Sequence, residues 1–460
     1  MAGIGFELKK LTSRDNLFGI LRAYTHAAMA STGPWLFTVI ALAGITTLYS
    51  DFFAAEGLLN FRVVVIYNFS FSLVLSAPVF MVVTRYLADA IYRKDVTATP
   101  SVMLKSLLLL YAIQLPIAGW FYLSYVNFEL SMRLSALANL FLITSVWLLS
   151  VFPTALKDYN AVTRAYGIGM VLAVLFVQLF KDPYGDVGMV NGFSIGLAWI
   201  VFALAAKIFA EYPYVLGPVP ELTSYFKKYW ELAVGGICYN AAIWVDKWIM
   251  WFAPEAMTLP SKMVMYPDYD SAMFLAYLTI VPAMAVFVFS IETHFSERYQ
   301  RFYQHILEHM PLSKICENHA AITQSVMDSA RNFIVVQGTI CFLAVVLAAK
   351  IFELININYL QIGMFRLGAL GAFFHVLVLF EMIVLSYFDC RRITMWLQAI
   401  FLASNAGFTL LSLQWGFAWY GYGYFLSCLL LFVLTTPVLF TYIRRLPYHA
   451  FITSNNSVKA

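Results

Sequence analysis

Runs of about 20 apolar residues recur along the whole chain, separated by short polar or Pro/Gly-containing breaks. Such a run is what an α-helix needs to cross a hydrocarbon layer about 30 Å thick at about 1.5 Å per residue. About twelve are expected, over residues 28–49, 62–84, 102–125, 134–156, 165–180, 188–210, 229–253, 271–292, 332–355, 364–388, 395–414 and 421–443. A membrane β-barrel would instead show segments of about ten residues with alternating polarity. Residues 106–125 and 426–441 are apolar on every face. The expected fold class is an all-α polytopic membrane protein with about twelve transmembrane helices.

Composition agrees. Of 460 residues, 62% are hydrophobic and 12% charged, against about 25% charged in soluble domains. Too little polar surface remains to cover a water-exposed body. An ordinary cytosolic enzyme, a disordered chain and a secreted disulfide scaffold are thereby excluded. The 29 Lys plus Arg nearly balance the 25 Asp plus Glu, and no long basic tract exists, so nucleic acid is excluded as a partner. Cys238, Cys316, Cys341, Cys390 and Cys428 lie apart without a C-x-x-C pair and read as buried apolar thiols. Residues 1–11 are basic and mildly amphipathic, and Gly33-Pro34 interrupts the first apolar run. No removable signal peptide is read there, and the first hydrophobic segment is expected to stay.

Lys and Arg are strongly asymmetric across these spans, and basic connections stay in the cytoplasm. With both termini cytoplasmic, 22 fall on the cytoplasmic side and six outside: Arg62, Arg133, Lys181, Lys262, Lys350 and Arg366. Lys247 lies within a span. The polar, proline-rich stretch 211–228 divides the chain into an N-terminal lobe, 1–228, and a C-terminal lobe, 229–460. Each opens with an amphipathic basic segment (18–24 and 225–230), and each second span holds a mid-membrane proline, Pro78 or Pro282. The halves would be parallel repeats, as in transporters that bind near the midplane.

Motifs for chemistry are absent. There is no phosphate loop, no H-E-x-x-H pair and no His/Cys grouping for zinc. Asp268-Tyr269-Asp270 reads as a hydrated turn started by Pro267 rather than as a sugar-nucleotide metal site. No enzyme activity, cofactor or metal is expected. Ionisable groups within the membrane are costly and by default functional. Asp246 and Lys247 in the seventh span and Glu381 in the tenth are the candidates for a substrate pathway or ion site. The alternative for Asp246 is a structural salt bridge between helices. Adjacent helical residues diverge by about 100°, so Asp246 and Lys247 need not pair with each other. His375 and Glu381, six residues apart, point to different faces. Gln114 and Gln178 read as packing hydrogen bonds. Trp415, Trp419, Tyr420, Tyr422 and Tyr424 form an interfacial belt or line a glycan exit.

The cytoplasmic loop 294–331 is the one sizeable polar element. Phe295, Tyr299, Phe302, Tyr303 and Ile306 recur at helical spacing opposite Glu297, Arg298 and Gln304, and Pro311 separates this helix from a second over 312–330. It either lies on the membrane surface or docks a cytosolic partner through Arg298, Tyr299, Arg301 and Phe302.

Several motifs carry a family resemblance over essentially the whole chain. They are the opening Met-Ala-Gly-Ile-Gly-Phe-Glu-Leu-Lys-Lys-Leu, Gly33-Pro34-Trp35-Leu36, Thr84-Arg85-Tyr86-Leu87-Ala88-Asp89 and Tyr277-Leu-Thr-Ile-Val-Pro282. With them stand Glu292-Thr-His-Phe-Ser-Glu-Arg-Tyr299 and Tyr387-Phe-Asp389-Cys-Arg391-Arg392. The chain resembles the PelG family of the multidrug/oligosaccharidyl-lipid/polysaccharide flippase superfamily. The resemblance implies two six-helix lobes around a central cavity, with Asp246-Lys247 similar to an acidic seventh-helix position of such flippases. It implies export of Pel, a cationic, partly deacetylated amino-sugar polymer, across a Gram-negative inner membrane for a biofilm matrix. The implied partners are a cytosolic glycosyltransferase and further inner-membrane components, one of them a cyclic di-GMP sensor. Alternating access and a continuous conduit both stay open. So do two rival functions: a non-transporting scaffold that anchors the glycosyltransferase, and a cation-coupled small-molecule exporter.

Overall fold

The computed structural model describes residues 33–34, 36–46, 55–156, 158–219, 221–355 and 358–453. Segments 1–11 and 18–24, both ends of the first expected span, Trp35, Lys157 and Lys459 lie outside the described residues. Two compact units form, one within Thr32–Pro267 and the other within Asp268–Ala460.

The first unit contains α1 (Leu36–Thr46), α2 (Ala55–Arg93), α3 (Thr99–Trp120), α4 (Leu130–Ala155), α5 (Tyr159–Glu211), α6 (Glu221–Lys228) and α7 (Trp230–Met250). A wide turn, Phe121–Tyr125, extends α3. The span Trp230–Met250 packs within this unit, against α2. Two short strands, β1 (Met257–Thr258) and β2 (Val264–Met265), pair antiparallel with Met257 opposite Met265; the sequence reading had no strand here. The second unit holds α8 (Pro267–Leu278), α9 (Val281–Phe289), α10 (Ser296–Leu307), α11 (Leu312–Leu354), α12 (Ile362–Tyr387), α13 (Arg391–Trp415) and α14 (Tyr422–Arg444). Helix α12 is its centre, packed on α11 and α14.

Among the described residues nine helices are long and apolar enough to cross a membrane. The 53 residues of α5 would extend about 80 Å if straight, far beyond one bilayer. Instead α5 folds back at Gly185 (φ +58°, ψ −137°), two residues after Pro183. An L side chain would strain that conformation. The two arms return to one side, where Lys207 Nζ lies 3.0 Å from Asp158 Oδ2. Burial pushes the Asp158 carboxyl up, but Lys207 and the Ala161 amide outweigh it and hold the group below its usual range. The expected fifth and sixth spans are therefore these two arms. Along the first arm Ile168, Val171, Leu175 and Leu179 form an exposed stripe, the face an apolar solvent would cover.

Three elements differ from expectation. The cytoplasmic helix at 312–330 and the ninth span are one 43-residue helix, α11. No proline follows Pro311 before its end, and Gly338 sits in ordinary packing with Phe373. The eighth span is broken: α8 stops at Leu278, and Pro282 opens α9 within its first turn, where its missing N–H costs nothing. Pro78, by contrast, sits inside a continuous 39-residue α2. Asp268 and Asp270 occupy the first turn of α8 rather than a loop turn, where carboxylates complement the helix dipole. Of the five thiols, Cys341, Cys390 and Cys428 are buried, whereas Cys316 is exposed.

Candidate functional site

Asp246 and Lys247 lie in the last two turns of α7, on residues almost fully withdrawn from the surface (0% and 6% exposed). The lysine stem is long enough to curl back across the angle between adjacent side chains. Lys247 Nζ donates to both Asp246 carboxylate oxygens, at 3.0 and 3.1 Å, and to the Ile243 carbonyl at 3.0 Å. The ammonium also stands 5.9 Å from the Trp244 ring centroid. A buried charge left without a partner would be prohibitive, so each group holds the other in place. The arrangement is a compensated pair, and a cation arriving at Asp246 must displace Lys247.

Glu381 lies on α12 and is buried. Thr436 Oγ1 of α14 donates to its Oε1 at 2.7 Å, while its other oxygen, Oε2, is buried without a hydrogen bond among the described residues. His375 belongs to a different cluster: its Nδ1 is 2.7 Å from the Tyr424 hydroxyl, and its ring packs on Tyr277 and Phe401. Tyr424 and Thr436 are twelve residues apart, about 18 Å along α14. The structure therefore keeps His375 and Glu381 at separate places. One polar group escaped the sequence reading. Gln337 of α11 is fully buried, and neither its amide oxygen nor its nitrogen finds a partner among the described residues. An isolated glutamine inside an apolar run was the available signal.

The first unit carries a buried polar network instead. The Asn68 amide donates to the Ala136 carbonyl and to Asn139 Oδ1, both at 3.0 Å, while the Tyr122 hydroxyl donates to Asn68 Oδ1 at 2.7 Å. Asn139 in turn donates to Ser194 at 2.9 Å. Helices α2, α4 and α5 and the turn after α3 are thus tied by satisfied hydrogen bonds. Gln114 has the packing role expected of it, donating to Ser76 at 3.1 Å.

Of the four residues expected to dock a partner, three are occupied within the second unit. Phe302 is fully buried. The Tyr299 hydroxyl donates to the Tyr387 carbonyl at 2.9 Å, and its ring packs on Phe388. Arg298 Nη1 donates to the Ala321 carbonyl of α11 at 2.8 Å. Burial pushes the neighbouring Tyr303 hydroxyl up. Helix α10 is thus one arm of a hairpin with α11, and its exposed face carries Glu297, Gln300, Arg301 and Gln304. Arg301 pairs there with Glu297 at 3.3 Å. Among the described residues no three His, Cys, Asp or Glu side chains group closely enough to hold a metal ion.

A family model described as "PelG: Putative exopolysaccharide Exporter (EPS-E)" matches residues 1–451. The chain belongs to the PelG family. No curated protein matches it, but solved structures do. An outward-facing multidrug-resistance MATE family transporter of the MOP superfamily aligns with TM-score 0.65 at 13% identity, over 92% of this chain and 96% of its own. A MATE protein in a bent conformation aligns with TM-score 0.63 at 13% identity, over 97% and 99%. A MOP superfamily transporter from Pyrococcus furiosus gives 0.60 at 13%, over 92% and 96%. At such identity the likeness is one of fold. This PelG-family chain is a multi-pass membrane protein with a transporter fold, and family and fold both point to transport rather than catalysis.

Proposed function

We propose that the protein exports the Pel exopolysaccharide, a cationic, partly deacetylated amino-sugar polymer of the biofilm matrix that keeps uncharged acetylated units, across the bacterial inner membrane as a cytosolic glycosyltransferase makes it. The observation that carries this reading is the family match over residues 1–451. Both termini are cytoplasmic in this proposal, on the strength of the 22 to six distribution of Lys and Arg. A cyclic di-GMP sensor and other inner-membrane components complete the assembly.

The α10–α11 hairpin is the proposed dock for the transferase. At about 64 Å, α11 is twice the length of a single crossing, so its N-terminal half, with α10 folded against it, has the reach to stand clear of the lipid. Arg301→Glu is expected to lower the membrane-bound transferase several-fold while leaving the fold intact, since Arg301 is exposed. Arg298→Glu breaks the bond to Ala321 and is expected to cost stability as well, about 1.5–3 kcal/mol. Membrane fractionation together with a thermal melt reads both, and unchanged fractionation in Arg301→Glu removes this dock.

Cells lacking the chain distinguish export from anchoring. Export predicts that polymer release stops and stays stopped even when an unrelated membrane anchor fused to the transferase holds it at the membrane, because no passage remains. Anchoring predicts that transferase leaves the membrane and that an unrelated membrane anchor fused to it restores release. Restoration by that fusion would overturn the export reading.

A further inference from the structure

At one end of the first unit, α2, the turn after α3, the end of α7 and the β1–β2 hairpin line a half-open cavity of about 310 Å³. That is the lower end of the range for pockets that hold small molecules. Its wall is built from Tyr67, Phe71, Phe121, Tyr125, Trp248 and Trp251. The rings are ordered in two parallel stacks. Trp251 lies on Tyr67 (centroids 4.5 Å apart, planes 8° apart), Tyr67 on Phe121 (5.9 Å, 18°) and Phe121 on Tyr125 (5.7 Å, 22°). Phe71 and Trp248 form the second stack (4.9 Å, 7°). The Tyr67 hydroxyl is consumed by the hairpin: it donates to the Val264 carbonyl at 2.8 Å and accepts from the Val264 amide at 3.2 Å. Aromatic surface is therefore what this wall chiefly offers, and Phe71 and Tyr125 stay partly exposed (38% and 45%).

Lys262 is the one charged side chain among the described residues of the lining. It sits at the tip of the hairpin with φ +66°, a conformation that favours Gly or Asn. The turn is closed by Lys262 N–H to the Leu259 carbonyl at 2.9 Å and fastened by Asn127 N–H to the Ser261 carbonyl at 3.1 Å. A lysine thus stands, at some backbone cost, beside two aromatic stacks with no carboxylate to neutralise it within the lining.

We propose that this cavity is a subsite that stacks uncharged sugar rings of the exported chain and disfavours cationic amino-sugar units. The inference rests on the export reading and adds a specificity to it. The C–H face of a pyranose is apolar and weakly positive, complementary to the negative face of an aromatic ring. The Lys262 ammonium supplies a donor for hydroxyl or acetamido oxygens and repels an ammonium. The charge distribution along the sequence puts this end on the outer side, where a chain leaves the membrane.

The test uses the full-length protein in lipid nanodiscs, with N-acetylglucosamine tetramer and its fully de-N-acetylated counterpart as probes, at a pH that protonates the amines. The neutral tetramer is expected to bind about tenfold more tightly than the cationic one. Lys262→Asn, which keeps the turn comfortable, narrows that gap, and Lys262→Glu reverses it. Phe71→Ala and Tyr125→Ala weaken both probes. Equal binding of the two tetramers irrespective of residue 262 overturns the proposal. So does retention of an anionic phospholipid that Lys262→Asn releases, if neither tetramer binds. Polymer release is scored separately in cells. Release that persists without the chain overturns the export reading, whereas chain-dependent release with no tetramer binding overturns the subsite alone.

Discussion

Asp246→Asn alone is expected to destabilise the protein by about 3–5 kcal/mol, because it removes a countercharge in direct contact with a buried ammonium. Lys247 has 6% of its surface exposed and sends its Nζ to both oxygens of a carboxylate that has none exposed. Lys247→Met is expected to cost a similar amount by removing a countercharge from the buried carboxylate. The double variant Asp246→Asn/Lys247→Met removes both charges at once and is expected to be more stable than either single variant. Thermal unfolding of the purified protein in detergent measures the cycle, and coupling of about 2 kcal/mol or more is expected for groups in direct contact. Additive losses would mean that the two residues do not hold each other. Export by the folded double variant then separates the two readings of Asp246. Full export makes the pair an internal brace of α7, and lost export places it on the pathway.

Gly192→Ala is expected to cost about 1–3 kcal/mol, and Gly192→Leu to abolish accumulation of folded protein. A Cβ at Gly192 would stand 2.5 Å from the Val177 amide nitrogen and 2.6 Å from the Phe176 carbonyl carbon. Those are backbone atoms of the opposing arm of α5 and cannot rotate away. One turn to either side, Gly188 meets the Phe180 carbonyl and Gly196 meets the Gly169 carbonyl in the same manner. Small residues at such spacing let helices approach closely where lipid supplies no hydrophobic drive for association. Gly338→Ala is the control: its Cβ would meet Phe373 at 3.6 Å, an ordinary contact, and no loss is expected. Folded yield by size-exclusion chromatography compares the three, and normal yield of Gly192→Leu would show that the arms of α5 are not in contact.

Apolar length was the part of this fold most openly written in the sequence. The spans at 364–388, 395–414 and 421–443 coincide with α12, α13 and α14 to within a few residues, since lipid demands a continuous run and water-facing ends break it. Continuity between helices was less legible. Nothing in local hydropathy says that the polar 312–331 stretch runs unbroken into the ninth span, because both halves are good helix and only a breaker would have parted them. Conversely, Pro78 and Pro282 look alike in sequence, yet one is carried inside α2 and the other starts α9. Neighbouring helices decide whether a proline's orphaned carbonyl is tolerated.

The candidate site residues show the same division. That Asp246 and Glu381 lie within the membrane follows from their place in apolar runs, and both are buried; for Lys247 the same position also allows a side chain that snorkels outward, yet it too is buried. Partnership did not follow. The spacing of adjacent residues argued nothing for the Asp246–Lys247 pair, which depends on a flexible lysine stem rather than on helical periodicity. The docking residues share one amphipathic helix, and periodicity does not tell which of its faces a neighbouring helix covers. Tyr299 and Phe302 supplied the packing face, and Arg301 was left outside. The aromatic cavity around Tyr67 collects residues from four separated segments, and no window along the chain contains them together.

Inverted inner-membrane vesicles carrying the chain and its transferase, fed with radiolabelled nucleotide sugar, test export most directly. Labelled polymer is expected inside the vesicles, protected from an added glycoside hydrolase until detergent is supplied, and lost when the chain is absent. Polymer that stays outside and fully digestible with the chain present, or that becomes equally protected without it, would mean that this chain does not carry the polymer across the membrane.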